Sequence, residues 1–117
     1  MEKYILKAPD EYYLLSEEDK NVICNGVGAV GDWKSKYIPK TIYGLDITEC
    51  ANIHDYMYYI GKTILDKTKA DDIFLENMNF LISVNNWWLI FLRKRRAYKY
   101  YIAVRFFGKD AFFNKKL

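Results

Sequence analysis

Histidine occurs once in the 117-residue chain, at His54, and Asp55 follows it directly. Imidazole is the one side chain whose ordinary pKa lies near neutrality, so His54 is the natural general base for any proton-transfer chemistry here. The run around it is Cys50-Ala51-Asn52-Ile53-His54-Asp55-Tyr56-Met57-Tyr58-Tyr59-Ile60-Gly61, apolar or aromatic on almost every side. At about 100° per residue, Ala51, His54, Asp55 and Tyr58 share one side of a helix, with Cys50, Ile53, Met57 and Ile60 beside them. Such a helix is expected to be central and largely buried. Titratable groups on it need partners, because an unpaired buried charge is expensive.

A second helical stretch supplies the partner. Asp66 is a capping residue for a helix over Lys67–Ile82, whose apolar stripe is Phe74, Leu75, Met78, Leu81 and Ile82. Asp71 continues this stripe backwards, whereas Asp72 falls with Glu76 and Asn79 on another side. The short connection makes the two helices an antiparallel pair, which turns Asp71 toward His54 or Tyr58. An inward aspartate opposite an inward histidine suits an oriented imidazole; a satisfied buried ion pair without chemistry meets the same spacing.

The elements that must position this pair follow from caps and breakers. Asp46 caps the His54 helix with Glu49 in capping-box position, and Gly61 is its left-handed stop after Ile60. Asn85 or Asn86 caps a third long helix running to about Phe107 and closed by Gly108, with Ile90, Ala97, Tyr101 and Val104 inward. Upstream, Pro9 opens a first turn and Ser16-Glu17-Glu18-Asp19 begins a capping pattern. Cys24-Asn25-Gly26-Val27-Gly28-Ala29-Val30-Gly31 reads as an irregular glycine loop, residues 32–45 as a connection, and residues 109–117 as a fraying end. The expectation is a single all-α domain over 1–117, with three main helices and a shorter N-terminal one.

Composition bounds the partners. Hydrophobic residues make up 51% of the chain, with 11 Tyr, 7 Phe and 3 Trp, which argues against disorder. Residues 1–82 carry 9 Lys/Arg against 14 Asp/Glu; residues 83–117 carry 9 Lys/Arg against Asp110 alone. The basic run Arg93-Lys94-Arg95-Arg96, flanked by Trp87, Trp88, Tyr98 and Tyr100, is a candidate surface for anionic lipid or nucleic acid; a solvated basic face is the plain alternative. Cys24 and Cys50 are too few for a disulfide framework. No signal-peptide pattern opens the chain, and the apolar run Phe80–Leu92 is too short and polar to span a bilayer, so synthesis in the cytoplasm is expected. One histidine cannot furnish the ligand set of a metal-dependent HD phosphohydrolase.

The ordered set of glycine loop Cys24-Asn25-Gly26-Val27-Gly28, helix motif His54-Asp55-Tyr56-Met57-Tyr58 and partner segment Ala70-Asp71-Asp72-Ile73-Phe74 resembles the phospholipase A2 superfamily, particularly its parvovirus capsid form. The runs Cys50–Ile60 and Ala70–Met78 also resemble small proteins of tailed phages and prophages. The resemblance implies a calcium-dependent ester hydrolase acting on membrane phospholipid, with His54 as base, Asp71 orienting it and Tyr58 steadying Asp71. It implies Ca2+ held by Asp55 and the carbonyls of Cys24, Gly26 and Gly28, with the Gly26 N–H sharing the oxyanion. Trp87, Trp88, Arg93, Lys94, Arg95 and Arg96 are then the expected lipid-facing residues. Two other classes remain open: a virion-associated phage structural or host-interaction protein that keeps the fold without activity, and a basic helix that binds nucleic acid. The chain departs from the family by placing Cys24 where a tyrosine is usual, and by having at most one disulfide where the secreted enzymes have many.

Overall fold

The computed structural model describes residues 5–24, 38–85 and 88–113. In chain order they form α1 (Asp10–Tyr13), α2 (Glu17–Cys24), β1 (Thr41–Ile42), β2 (Leu45–Asp46), α3 (Thr48–Ile60), α4 (Ile64–Asn85), α5 (Ile90–Phe107) and α6 (Lys109–Phe113). The three long helices α3, α4 and α5 carry the architecture, which is all-α with a small hairpin added. The N-terminal part contains two short helices where one was expected, separated at Leu14–Ser16. Ser16 does cap the second: its Oγ accepts from the Asp19 N–H at 3.0 Å.

α4 lies between α3 and α5 and packs on both. Tyr58 meets Asp71, while His54, earlier on α3, meets Phe74, later on α4. Partners thus run in opposite directions, as an antiparallel hairpin requires. The same holds for α4 and α5, where Lys67 reaches Val104 and Asp72 reaches Tyr101. Met57 and Ile53 of α3, Phe74, Met78 and Ile82 of α4, and Ala97 and Val104 of α5 belong to one core. Each large apolar side chain fully buried there stabilises the fold by about 1.5–3 kcal/mol.

The helix ends differ from the expected ones for local reasons. α4 begins at Ile64 because Thr63 is its cap: the Asp66 N–H donates to Thr63 Oγ1 at 3.2 Å, and Asp66 Oδ2 accepts from the Thr63 N–H at 3.0 Å. Asp66 therefore sits inside the first turn as the returning half of a capping box, not at the cap. At α3 the cap residue is Ile47; Asp46 helps from outside, accepting from the Thr48 N–H at 2.8 Å. Glu49 makes no box there and instead accepts from Tyr12 OH at 2.9 Å, tying α1 to α3. Gly61 is extended rather than left-handed, with φ −73°. Its small size serves close packing: a Cβ at this position would lie 2.6 Å from Phe112 Cε1. Asn85 ends α4, with its Nδ2 donating to Leu81 O at 2.8 Å, so it does not cap α5, whose cap is Leu89. Asn86 lies outside the described residues.

Regular structure occurs in the described parts of two stretches read as a connection and a fraying end. Within the expected 32–45 connection, β1 and β2 pair antiparallel, Thr41 with Asp46 and Ile42 with Leu45. Tyr43 and Gly44 turn between them with φ 46° and 82°, the mirror-image turn that suits a two-residue hairpin. The end expected to fray includes α6, whose Phe112 is buried edge-on against Tyr58 with ring centroids 5.2 Å apart.

Candidate active site

Asp71 is the centre of a buried polar cluster that draws on three helices. α3 presents His54 and Tyr58 one turn apart, as their spacing requires. α4 presents Lys67 and Asp71, also one turn apart. α5 presents its last-turn carbonyls and Arg105. The side chains of His54 and Asp71 are 0% exposed.

The two carboxylate oxygens of Asp71 have separate duties. Oδ1 lies 2.7 Å from His54 Nε2 and accepts from Tyr58 OH at 2.8 Å. Oδ2 accepts from Lys67 Nζ at 2.7 Å, with Arg105 Nη1 at 3.9 Å. Oδ1 can only accept when ionised, so the His54 proton belongs on Nε2, which leaves Nδ1 as the basic nitrogen. The imidazole is held between two rings, with centroids 4.2 Å from Tyr58 and 4.9 Å from Phe74. Burial pushes the Asp71 carboxyl up, but the hydrogen bond and charge of His54, with the bonds from Lys67 and Tyr58, outweigh it and hold it below its ordinary value. Burial, then the neighbouring Asp71 charge and hydrogen bond, push the Tyr58 phenol far up, so it stays a neutral donor. Its one proton goes to Asp71, since Val104 O is 3.5 Å away.

His54, Asp71 and Tyr58 are thus together, in the relation their helical phase predicts. The solvated residue of the acidic pair is Asp72, whose Oδ1 accepts from Tyr101 OH at 2.9 Å. Lys67 and Arg105 are members that the sequence reading missed. Lys67 carried a signal, since it lies four residues before Asp71; Arg105 carried none, because its approach depends on how α5 packs.

The expected metal ligands are only partly on view. Gly26 and Gly28 lie outside the described residues, so the carbonyl and oxyanion roles expected of them do too. Cys24 ends α2, and its thiol faces Asn52 O of α3 at 3.4 Å. Asp55 is half-buried on α3. Among the described residues no three His, Cys, Asp or Glu gather as a metal site, and Asp55 alone falls short of the six to eight oxygens calcium takes.

The lipid-facing set needs correction. Arg93 is buried: its Nε donates to Ile42 O at 3.2 Å and its Nη2 to Tyr43 O at 2.7 Å. Arg96 turns the same way, donating to Tyr43 OH at 3.1 Å. Successive residues on a helix point 100° apart, so the four-residue basic run could not share one face. Lys94 and Arg95 are exposed, Trp88 is 67% exposed, and Trp87 lies outside the described residues. The outward face of α5 instead carries Phe91 (76% exposed), Arg95, Tyr98 and Phe106 (71% exposed). No family model matches the chain, and no curated protein or solved structure does either.

Proposed function

We propose that the protein is a phospholipase A2-like ester hydrolase in which His54 is the general base. The observation that carries this reading is the single carboxylate oxygen, Asp71 Oδ1, shared by His54 Nε2 at 2.7 Å and Tyr58 OH at 2.8 Å. An imidazole so held keeps one tautomer and one orientation. Nδ1 would take a proton from water as that water attacks the ester carbonyl carbon. Asp71 would stabilise the resulting imidazolium, and Nδ1 would return the proton to the departing alcohol oxygen. Calcium, when bound, would polarise the ester carbonyl; Asp55 with the Cys24, Gly26 and Gly28 carbonyls are its proposed ligands.

The outward face of α5 supports a lipid surface as the place of action. α5 contains no Asp or Glu, and its exposed Phe91, Tyr98 and Phe106 alternate with Lys94, Arg95 and Lys99. Aromatic rings suit the headgroup boundary and the cations suit anionic lipid. Binding to anionic vesicles should exceed binding to neutral ones and should fall with salt.

One observation favours a second reading. His54 and Asp71 are both shut off from solvent, as in a structural ion cluster of a non-enzymatic protein. Calcium-dependent hydrolysis of a short-chain phospholipid separates the two. His54→Gln should abolish it with the fold retained, and Asp71→Asn should lower it about 10²- to 10⁴-fold. A parent without hydrolysis, whose variants only lose stability, would leave the structural reading. Calcium at about 100 times its dissociation constant should add roughly 2.7 kcal/mol of stability, and Asp55→Asn should cancel the gain.

A further inference from the structure

We infer that Lys67 is a positioning residue that fixes the Asp71–His54 pair to the end of α5, which makes α5 part of the site. This inference rests on the hydrolase reading for its kinetic consequence, but not for its structural one. The lysine is 3% exposed and lies with its ammonium between two groups of acceptors. On one side is Asp71 Oδ2 at 2.7 Å; on the other are Val104 O and Arg105 O, each at 3.3 Å. An ammonium has three protons, and here three acceptors surround it. The two carbonyls belong to the last turn of α5, where the helix leaves carbonyls in need of donors and favours a cation.

This arrangement determines what Asp71 can do. With Oδ2 held by Lys67, the carboxylate cannot rotate without breaking a buried charge-assisted bond. Oδ1 therefore stays on His54 Nε2 and Tyr58 OH. The Lys67 charge also balances the carboxylate, so Asp71 has a counter-charge without requiring one from the imidazole. An isolated α3–α4 hairpin would contain His54, Asp71, Tyr58 and Lys67 but would lack the acceptors that aim the ammonium. Residues 83–117, which have no part in the resemblance, contribute here through the Val104 and Arg105 carbonyls that hold Lys67, with the Arg105 side chain 3.9 Å from the same Asp71 oxygen.

The test compares the parent chain with Lys67→Met and Lys67→Arg, each checked for fold by near-ultraviolet circular dichroism. Long-range ¹H–¹⁵N correlation then reads which His54 nitrogen carries the proton. Steady-state hydrolysis of a short-chain phospholipid with calcium gives kcat and KM. In Lys67→Met the single Nε2–H form should give way to a mixture, and kcat should fall about tenfold or more with KM unchanged. Lys67→Arg, which keeps a cation with several donors, should recover the single form. If Lys67→Met keeps the parent tautomer, the inference is overturned. If Lys67→Met does not fold, Lys67→Arg decides alone: a single Nε2–H form supports the role and a mixture overturns it. A parent that hydrolyses nothing would remove the hydrolase reading, while the tautomer comparison would still decide Lys67.

Discussion

Two regions of this molecule bury a basic side chain in different company, and the contrast separates a contact with fixed dipoles from one with titratable groups. At the hairpin, Arg93 donates to Ile42 O and Tyr43 O, and Tyr100 OH donates to Thr41 O at 3.1 Å. These acceptors are peptide carbonyls, which do not titrate, so the contact holds the hairpin to α5 without an acid–base partner. At the α3–α4–α5 junction, Lys67 meets a carboxylate that also meets an imidazole. There the carboxylate and the imidazole are titratable types, and burial makes the balance of charge costly to disturb. A guanidinium suits the first task because its fork is rigid and always charged; an ammonium suits the second as a compact point charge.

The largest effect should come from taking the charge out of the junction. Asp71→Asn leaves Lys67 buried without its carboxylate and should cost about 3–5 kcal/mol in chemical denaturation. A loss of about 1–2 kcal/mol without pH dependence would mean that the junction behaves like the hairpin, with dipoles alone sufficient. The same group gives the junction its own acid limit. The folded Asp71 carboxyl is held below its ordinary value. Its stabilisation is complete above the unfolded carboxyl pKa, about 4, and is lost as pH falls through the lower folded value. Stability followed from pH 6 downward should drop in that acid window in the parent, and the drop should be shallower in Asp71→Asn. Equal slopes would remove Asp71 as the cause.

The hairpin should respond less and without pH dependence. Arg93→Met removes the bonds to Ile42 O and Tyr43 O, of which the second belongs to an exposed residue where water can replace the donor and the first to a buried one. A cost of about 1–3 kcal/mol is expected, constant between pH 4 and 8. A cost that varies across that range would show that a titrating group shares the contact and would blur the distinction between the regions.

The same contrast governs what was legible in the sequence. His54 and Asp71 could be placed opposite each other because helix phase is a local property: Asp71 precedes Phe74 on the stripe that must face inward. Lys67 was passed over and Arg93 was expected on a lipid-facing surface because long basic side chains are normally solvated, and only tertiary packing shows that carbonyls of α5 and of the hairpin await them. α3 was bounded well by Gly61, though for a different reason from the one expected: the crowding of Phe112 and not a left-handed turn. Phe112 itself sits on a five-residue helix too short to announce a buried face. The hairpin was missed because Tyr43 occupies a turn position usually given to asparagine, aspartate or glycine.

That tyrosine carries the smallest and most discriminating prediction. At φ 46° a bulky residue is strained by about 1 kcal/mol relative to one that tolerates the left-handed region. Asparagine is such a residue, so Tyr43→Asn should relieve the backbone. Yet the Tyr43 ring lies under Arg96, with 4.8 Å from guanidinium carbon to ring centroid, and its hydroxyl accepts from the same side chain. An exposed cation–π contact is worth about 0.5–1 kcal/mol, enough to cancel the strain. Tyr43→Asn alone should therefore change stability by no more than about 0.5 kcal/mol. In a background of Arg96→Met the offset is gone, and the same substitution should stabilise by about 0.5–1 kcal/mol. A double-mutant cycle measured by denaturant unfolding reads this directly. If Tyr43→Asn destabilises equally in both backgrounds, Arg96 is not what retains the tyrosine, and the hairpin is held by Arg93 and Tyr100 without help from the turn.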